Sequence, residues 1–369
     1  MADEISPAAL NRATLARQLL LGRERLDAAA AIERIGGLQA QEARPAFQAL
    51  WTRLEGFERS ALHAALHDRS VVRGTTMRAT LHMMSAGDFT ALRPVLQPVL
   101  DGALASVLKQ RGAQVDTAKV AGAAEELLGR EPLTFNALRD RLAERFPGTD
   151  VRALGYAVRM QVPLLMLPTD DPWSFPSDAR FTLAEEWLGG KLPAPDLEAL
   201  VRRHLAAFGP ASVADVQNWS GLKGLQDTVA GMADQLVAFK AGRRTLYDLP
   251  GAPRPDAGTE APPRLLPEFD SLLLAHQDRT RVISDEHRKA LVTKNLRIAA
   301  TFLVDGVVAG SWDVERKGGA ATLTLRPFGR LRRADKDALA AEAEALLRFT
   351  GDGGPKVAFA QRGAARRAA

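Results

Sequence analysis

The feature that most constrains this chain is a recurring order of elements, in which several amphipathic helices precede two short strands. In the first copy, helical periodicity predicts four helices, at residues 7–22, 27–35, 44–54 and 58–68. Residues 70–84 then change to a strand-like pattern around Gly74, which predicts a small hairpin. Short helices followed by such a hairpin are the order of a winged helix, and we interpret the first copy as one.

Two further copies follow. The second combines four helical patterns with a two-stranded wing, at residues 92–109, 117–128, 134–145, 150–161, 162–168 and 180–183. The third starts at Asp196 with a helix over 197–208, continues through a capped helix entry at Ser212, and ends in a hairpin around Ala241 and Gly242.

The C-terminal part has a different pattern, with strands alternating around Asp305-Gly306, a strong hairpin signal, and a long amphipathic helix over 334–350. The predicted fold class is α+β, with three tandem winged-helix units followed by a small C-terminal β-barrel or sheet with a helix. The predicted divisions are winged units at 8–88, 89–192 and 193–250, a Pro- and Gly-rich linker at 251–263, a β-rich domain at 264–355 and a basic tail at 356–369, whose end we expect to be disordered.

Composition excludes several kinds of site and location. The chain has no cysteine, which rules out disulfides, iron–sulfur clusters and thiolate zinc sites, and its 6 histidines show no metal-binding spacing, so we predict no metal and no cofactor. No run approaches the roughly 20 apolar residues that span a bilayer. The acidic start Met1-Ala2-Asp3-Glu4 does not resemble a secretory signal, and we therefore expect a cytoplasmic protein without a membrane partner.

The charge balance is compatible with a polyanionic partner. Lys and Arg number 49 against 44 Asp and Glu, for a net charge of +5 and a pI of about 9.7. Phosphates attract such charge at long range, and arginine, the commoner cation here, suits bidentate phosphate contact.

One short motif carries the clearest chemical signal. Gly36-Gly37 and Pro45 indicate that a helix ends around Gln39 and Gln41. The two side chains share a face if the backbone is extended and diverge if it is helical. An amide orients water by hydrogen bonding but is a poor base. Taken alone, the motif favours two surface glutamines at a helix end.

In its wider context the motif resembles that of the AlkZ-like DNA glycosylases, which are tandem winged-helix proteins. The residues that carry this resemblance lie between about positions 8 and 350; they are Leu38-Gln39-Ala40-Gln41, Arg78-Ala79-Thr80-Leu81-His82, Phe208-Gly209-Pro210-Ala211-Ser212-Val213-Ala214-Asp215, Leu265-Leu266-Pro267-Glu268-Phe269-Asp270 with Asp278-Arg279, and Val304-Asp305-Gly306-Val307-Val308-Ala309-Gly310-Ser311-Trp312. The family's hallmark is Gln-apolar-Gln in one subgroup, and this chain matches it with a small central Ala40.

The resemblance implies an enzyme that excises N7- or N3-alkylated purines from double-stranded DNA, with Gln39 and Gln41 as catalytic residues. Members of the family also unhook interstrand crosslinks. Such lesions carry positive charge, so the reaction needs a positioned water and dipolar stabilisation more than acid catalysis. No lysine lies near the glutamines in sequence, which predicts a monofunctional glycosylase. We expect an open cleft and a monomer.

Arg78, Thr80 and His82 are predicted to alternate on one face of a wing strand, where they either contact DNA or hydrogen-bond to neighbouring backbone. Lys240, Arg243 and Arg244 form the most basic hairpin. That hairpin either enters a DNA groove or has a solvated tip.

Other candidates are interpreted as structural. Asp270, Asp278 and Arg279 are typical of an ion-pair and turn set, and Trp219 of a core position, with base stacking as the alternative. Glu42 is the nearest carboxylate in sequence, and we expect it to cap or pair. The main alternative function is a non-enzymatic winged-helix DNA-binding protein or transcriptional regulator; an inactive relative that shields lesions is a further one.

Overall fold

The computed structural model describes residues 3–291 and 298–360 as a mixed α+β fold. Its strands, in chain order, are β1 (Asp3–Glu4), β2 (Leu38–Gln39), β3 (Val71–Thr75), β4 (Leu81–Ser85), β5 (Leu133–Thr134), β6 (Leu164–Met166), β7 (Arg180–Leu183), β8 (Val237–Ala241), β9 (Arg244–Asp248), β10 (Arg264–Leu266), β11 (Thr301–Val304), β12 (Val307–Lys317), β13 (Ala320–Pro327) and β14 (Lys356–Phe359). Its α-helices are α1 (Pro7–Arg17), α2 (Ala28–Arg34), α3 (Arg44–Arg53), α4 (Arg59–His67), α5 (Ala86–Val95), α6 (Gln97–Arg111), α7 (Thr117–Leu128), α8 (Phe135–Arg145), α9 (Val151–Gln161), α10 (Ala184–Leu188), α11 (Leu197–Phe208), α12 (Val213–Ser220), α13 (Gln226–Gly231), α14 (Asp285–Leu291) and α15 (Arg333–Phe349). In the described ranges, none of these helices has the length and apolarity needed to cross a bilayer.

Side-chain caps define several helix starts, including the one predicted at Ser212. The side chains of Asp27 and Asp196 accept hydrogen bonds from backbone N–H groups of α2 and α11, and Ser212 forms a capping box with Asp215 at α12. The helix predicted over 92–109 is instead two helices, α5 and α6, which meet at Leu96. Proline accounts for the break, because Pro98 lacks the N–H that a continuous helix would use.

The first two predicted wings belong to one six-stranded sheet, with the order β2-β4-β3-β6-β7-β5. Gly74 pairs with His82 of β4 on one side and with Leu165 of β6 on the other. The predicted turn at Gly74 is wrong, since Gly74 lies within β3 and the chain turns at Met77–Ala79. A Cβ at Gly74 would lie 2.7 Å from Phe89 and 2.9 Å from the Leu164 carbonyl oxygen, so glycine is needed there for close packing rather than for turning.

The third predicted hairpin is confirmed. Strands β8 and β9 pair antiparallel, and Gly242 between them has a φ of +58°. The N-terminal strand β1 adds to β8 in parallel, a pairing that the sequence pattern did not indicate.

The C-terminal part is a five-stranded sheet with the order β10-β11-β12-β13-β14 and helix α15 packed on it. Asp305 and Gly306 both have positive φ, 48° and 74°, which confirms the hairpin predicted there. Residues 356–359 were assigned to the basic tail, and this is wrong: they form β14, parallel to β13, and place Val357 and Phe359 against the sheet's core. The basic residues predicted to be disordered, within 361–369, lie outside the described residues.

Buried ion pairs connect the N-terminal helices to later parts of the chain. Arg17 of α1 contacts Asp248 of β9 at 2.7 Å, and Arg53 of α3 contacts Asp270 at 2.8 Å. The Arg53 and Asp270 side chains have no exposed surface. These contacts fix the helices on either side of β2, the strand that carries Gln39.

Candidate active site

The glutamine motif leaves a helix through two glycines and continues as a strand. Gly36 and Gly37 have φ values of +77° and +85°, conformations that other residues rarely adopt. A Cβ on Gly36 would lie 3.0 Å from both Ala207 and Phe208. The chain then enters β2, where Gln39 is paired with His82 of β4. The extended segment includes Gln39 but ends before Gln41, which lies at a bend two residues further on.

The two amides differ in exposure and in their hydrogen bonds. Gln39 is half-buried, and its Oε1 accepts a hydrogen bond from Arg78 Nη2 at 3.0 Å. Gln41 is exposed, and its Oε1 lies 3.4 Å from the Leu81 backbone nitrogen, a long bond. With its oxygen held by a cation, Gln39 presents its N–H groups, while Gln41 keeps an oxygen available to solvent or substrate.

Arg78 reaches Gln39 from a strained turn. Arg78 and Ala79 both have positive φ, 53° and 57°, and Arg78 also donates to the Trp219 carbonyl oxygen. Burial, together with the charge of Arg279, lowers the pKa of Arg78 to about 10, so its guanidinium stays protonated at neutral pH.

The predicted alternation of Arg78, Thr80 and His82 on one strand is wrong, because only His82 lies in a strand. The chain turns at Met77–Ala79 rather than at Gly74, so Arg78 lies in the turn and not in a strand. Thr80 follows that turn and donates its hydroxyl hydrogen to the Met77 carbonyl oxygen at 3.1 Å.

His82 is beside the glutamines but does not ionise at neutral pH. Its Nδ1 lies 3.0 Å from the Thr80 carbonyl oxygen, which makes Nδ1–H the donor. Burial, reinforced by the nearby charge of Arg78, lowers the pKa of His82 to about 3. His82 is therefore neutral and cannot act as a strong general acid.

Arg73 is the residue of this site that sequence reasoning missed. Its Nε and Nη2 donate to the Ala40 carbonyl oxygen at 3.0 and 2.8 Å, and Nη2 also reaches the Gln41 carbonyl oxygen at 3.0 Å. Burial and the charge of Arg159 lower the pKa of Arg73 to about 10. The only signal in the sequence is a single arginine within the otherwise apolar start of β3. Arg73 fixes the backbone that carries both glutamines.

The basic hairpin, with Lys240, Arg243 and Arg244, makes no hydrogen bond to the glutamines within the described residues. Arg244 pairs with Asp278 at 2.6 Å, and Lys240 donates to Thr245 at 2.9 Å. Arg243 is exposed at the hairpin tip.

The residues interpreted as structural form ion pairs, turn hydrogen bonds and core contacts. Asp270 accepts hydrogen bonds from both Nη atoms of Arg53 and from the Leu272 backbone N–H, which caps the turn there. Asp278 accepts from Thr280 in addition to its ion pair with Arg244, and Arg279 donates to the His276 carbonyl oxygen. Trp219 is buried in the core and packs near Phe208. Glu42 is exposed and engages a partner of its own.

The chain is similar to known DNA glycosylases in sequence and in fold. The family model described as DNA glycosylase AlkZ-like matches residues 32–349. A curated relative, an interstrand DNA cross-link repair glycosylase from Streptomyces sahachiroi, is 26% identical over 360 residues, which cover 91% of this chain and 94% of the relative. The solved structure of the Streptomyces sahachiroi DNA glycosylase AlkZ superposes with a TM-score of 0.81 at 22% identity, covering 97% of this chain and 100% of that one. That superposition establishes a common fold.

Proposed function

The chain belongs to the AlkZ-like DNA glycosylases, and from that premise we propose that it hydrolyses the N-glycosidic bond of N7- or N3-alkylated purines in double-stranded DNA. The observation that carries the proposal is the Gln39–Gln41 pair: Arg73 binds the backbone carbonyl oxygens of Ala40 and Gln41, and Arg78 orients the Gln39 amide. Gln39 is half-buried and Gln41 is exposed, so both amides are accessible to a substrate.

The pair has complementary hydrogen-bonding groups for one water molecule. Gln39 donates an N–H to one lone pair of the water, and Gln41 Oε1 accepts one of its hydrogens. The second lone pair of the water is then free to attack the anomeric carbon while the glycosidic bond breaks and the base departs neutral, and the proton that Gln41 holds is released to solvent. The amide dipole of Gln41 also stabilises the positive charge that develops on the sugar.

This arrangement suits a leaving group that is already activated. An N7-alkylated purine is cationic and departs as a neutral base, so it requires no proton from the enzyme. His82 is neutral, and an amide is a weak base, so the site offers positioning and dipoles in place of strong acid–base catalysis. We therefore propose that neutral bases such as uracil are not excised.

We propose a monofunctional reaction that leaves an abasic site in an uncut strand. Strand cleavage by a glycosylase needs an amine that forms a Schiff base with the sugar. The first lysine of this chain is Lys109, far from the glutamines in sequence and on α6. Neither glutamine has a lysine among its hydrogen-bond partners in the described ranges.

The substrate range includes interstrand crosslinks in this proposal. The Streptomyces relative is named for crosslink repair, and the exposure of Gln41 suits a base that cannot be fully enclosed because it remains joined to the other strand. The proposal also includes the three winged units with their predicted boundaries. It further includes action as a monomer and a cytoplasmic location.

The test uses end-labelled duplexes that each contain one lesion: N7-methylguanine, an interstrand N7-guanine crosslink, or uracil. Each is incubated with the enzyme and analysed with and without alkali. The proposal expects alkali-dependent cleavage at N7-methylguanine, unhooking of the crosslink, and no reaction at uracil. Strand cleavage without alkali contradicts the monofunctional mechanism, and uracil excision contradicts the restriction to cationic bases. Sequence-selective binding without excision of any lesion would identify a regulator instead.

A further inference from the structure

A basic pocket on helices α8 and α9 has no role in the reaction described above. It has a volume of about 350 Å³ and is lined by Phe135, Arg139, Arg152, Gly155, Tyr156 and Arg159. Three arginines around one concave surface concentrate positive charge, and two aromatic rings provide flat apolar faces beside them.

The arginines of this pocket lack carboxylate partners within residues 3–291 and 298–360, unlike their neighbours. Arg141 and Arg145, also on α8, pair with Glu131 at 2.8 Å and Glu126 at 2.7 Å. Arg139 instead donates to the neutral Asn136 side chain at 2.6 Å, and Arg159 lies over the Phe135 ring at 4.5 Å. The Nε atoms of Arg139 and Arg159 are buried without a hydrogen-bond partner. The pocket therefore contains guanidinium N–H donors that have no acceptor among the described residues.

Gly155 provides the space in which these side chains lie. A Cβ at this position would be 3.0 Å from Arg139 Cδ and 3.2 Å from Phe135 Cε1, so a larger residue would displace both side chains. Glycine weakens a helix interior, and its presence here is explained by this close approach. The next residue, Tyr156, is 39% exposed, which is uncommon for a large hydrophobic side chain among the described residues.

The positive charge of the pocket is close enough to the glutamine site to affect it electrostatically. Arg159 lies close enough to Arg73 to lower the pKa of Arg73, and Arg73 in turn binds the Gln41 carbonyl oxygen. The backbone follows the same path, because α9 leads into β6 and β6 pairs with β3 at Gly74.

We propose that this pocket is a second DNA contact, in which Arg139, Arg152 and Arg159 bind backbone phosphates on one side of the lesion and Tyr156 packs against the adjoining sugar or base. This inference rests on the proposed function only in taking DNA as the ligand. Guanidinium groups match phosphate oxygens in a bidentate manner, and a tyrosine ring stacks without regard to sequence. The contact would hold the duplex so that the damaged nucleotide faces Gln39 and Gln41.

The test compares two double variants that remove equal charge from the same region. Arg139→Gln with Arg152→Gln alters the pocket, and Arg141→Gln with Arg145→Gln alters the carboxylate-paired neighbours on α8. Binding to an undamaged duplex is measured by fluorescence anisotropy over a range of salt concentrations, and thermal unfolding is followed for both proteins. Undamaged DNA separates this test from excision, so failure of the catalytic proposal leaves the binding result interpretable.

The pocket variant is expected to bind about tenfold more weakly at 0.1 M salt, with a salt slope smaller by about 1.8, since each lost phosphate contact contributes roughly 0.9. The neighbour variant is expected to bind within about twofold of wild type, because its arginines are already neutralised by carboxylates. Arg152→Glu, at an exposed position, repeats the test without perturbing the core and is expected to weaken binding further. Equal affinities and slopes for the pocket variant and wild type would overturn the inference.

Discussion

The buried ion pairs between distant elements and the site around Gln39 use arginine in two different ways. Arg17 and Arg53 each meet a carboxylate in the interior, Asp248 and Asp270, in bidentate contacts of 2.7 to 2.9 Å. Among the residues that the structure describes, Arg73 and Arg78 hydrogen-bond only to neutral oxygens, from backbone carbonyls and from the Gln39 amide.

The chemical consequence differs between the two regions. A carboxylate cancels the charge of its arginine, so the interior pairs hold elements together and offer nothing to a ligand. A neutral oxygen satisfies the N–H groups and leaves the positive charge in place. The glutamine site thus combines a rigid backbone with a local field that attracts the phosphates of DNA.

Breaking an interior pair gives the largest expected effect. Asp270→Ala leaves the buried guanidinium of Arg53 without its counter-charge, and the free energy of unfolding should fall by about 3–5 kcal/mol. Urea denaturation measures this loss, with Glu55→Ala, which breaks an exposed pair with Arg25, as the control expected to change little. A loss below about 1 kcal/mol for Asp270→Ala would contradict a structural role for the pair.

Acid should destabilise the folded interior. Burial lowers the pKa of His204 to about 4 and holds the pKa of His276 well below its ordinary value, so the unfolded chain binds protons that the folded chain does not. The stability that these neutral histidines contribute is present above about pH 6.5 and is lost as the pH falls, by up to roughly 1.4 kcal/mol per pH unit for each. Urea titrations at pH 7.5 and 5.5 measure the slope. Equal stability at the two pH values would contradict their burial in the neutral form.

Arg78→Gly is predicted to slow excision at saturating DNA by about tenfold, because Gln39 loses the charged donor that orients its amide. Glycine retains the left-handed backbone of this turn, so the variant tests the guanidinium rather than the fold. Single-turnover kinetics separate this effect from weaker DNA binding. An unchanged maximal rate would show that Arg78 is not a positioning residue.

Ala79→Gly is the matched change at the next position and should have the smallest effect. Ala79 also has positive φ, so glycine there relieves strain and is expected to raise the free energy of unfolding by up to about 1 kcal/mol. Excision should not change, since the Ala79 side chain has no role in the site. Slower excision by this variant would show that the turn acts through the rigidity of its backbone.

Much of the helical framework follows from local sequence, whereas the site depends on distant contacts. Residues 117–128 and 197–208 were predicted to the residue, because capping groups and apolar periodicity are local signals. The Asp305-Gly306 turn is equally local. Nothing near Gly74 indicates that β6 packs against it, and arginine and alanine give no sign of the left-handed turn at Met77–Ala79. The sequence therefore identified the glutamines, placed Arg78 on a strand instead of in a turn, and missed Arg73.

The most direct test of the central claim is the single-turnover rate of N7-methylguanine excision by the Gln39→Ala/Gln41→Ala variant. Its control is Gln235→Ala, which removes an exposed glutamine that accepts from Arg202. The account predicts a fall of at least about 100-fold for the double variant at an unchanged melting temperature, and no change for the control. Excision by the double variant within about threefold of wild type would place the chemistry elsewhere in the protein.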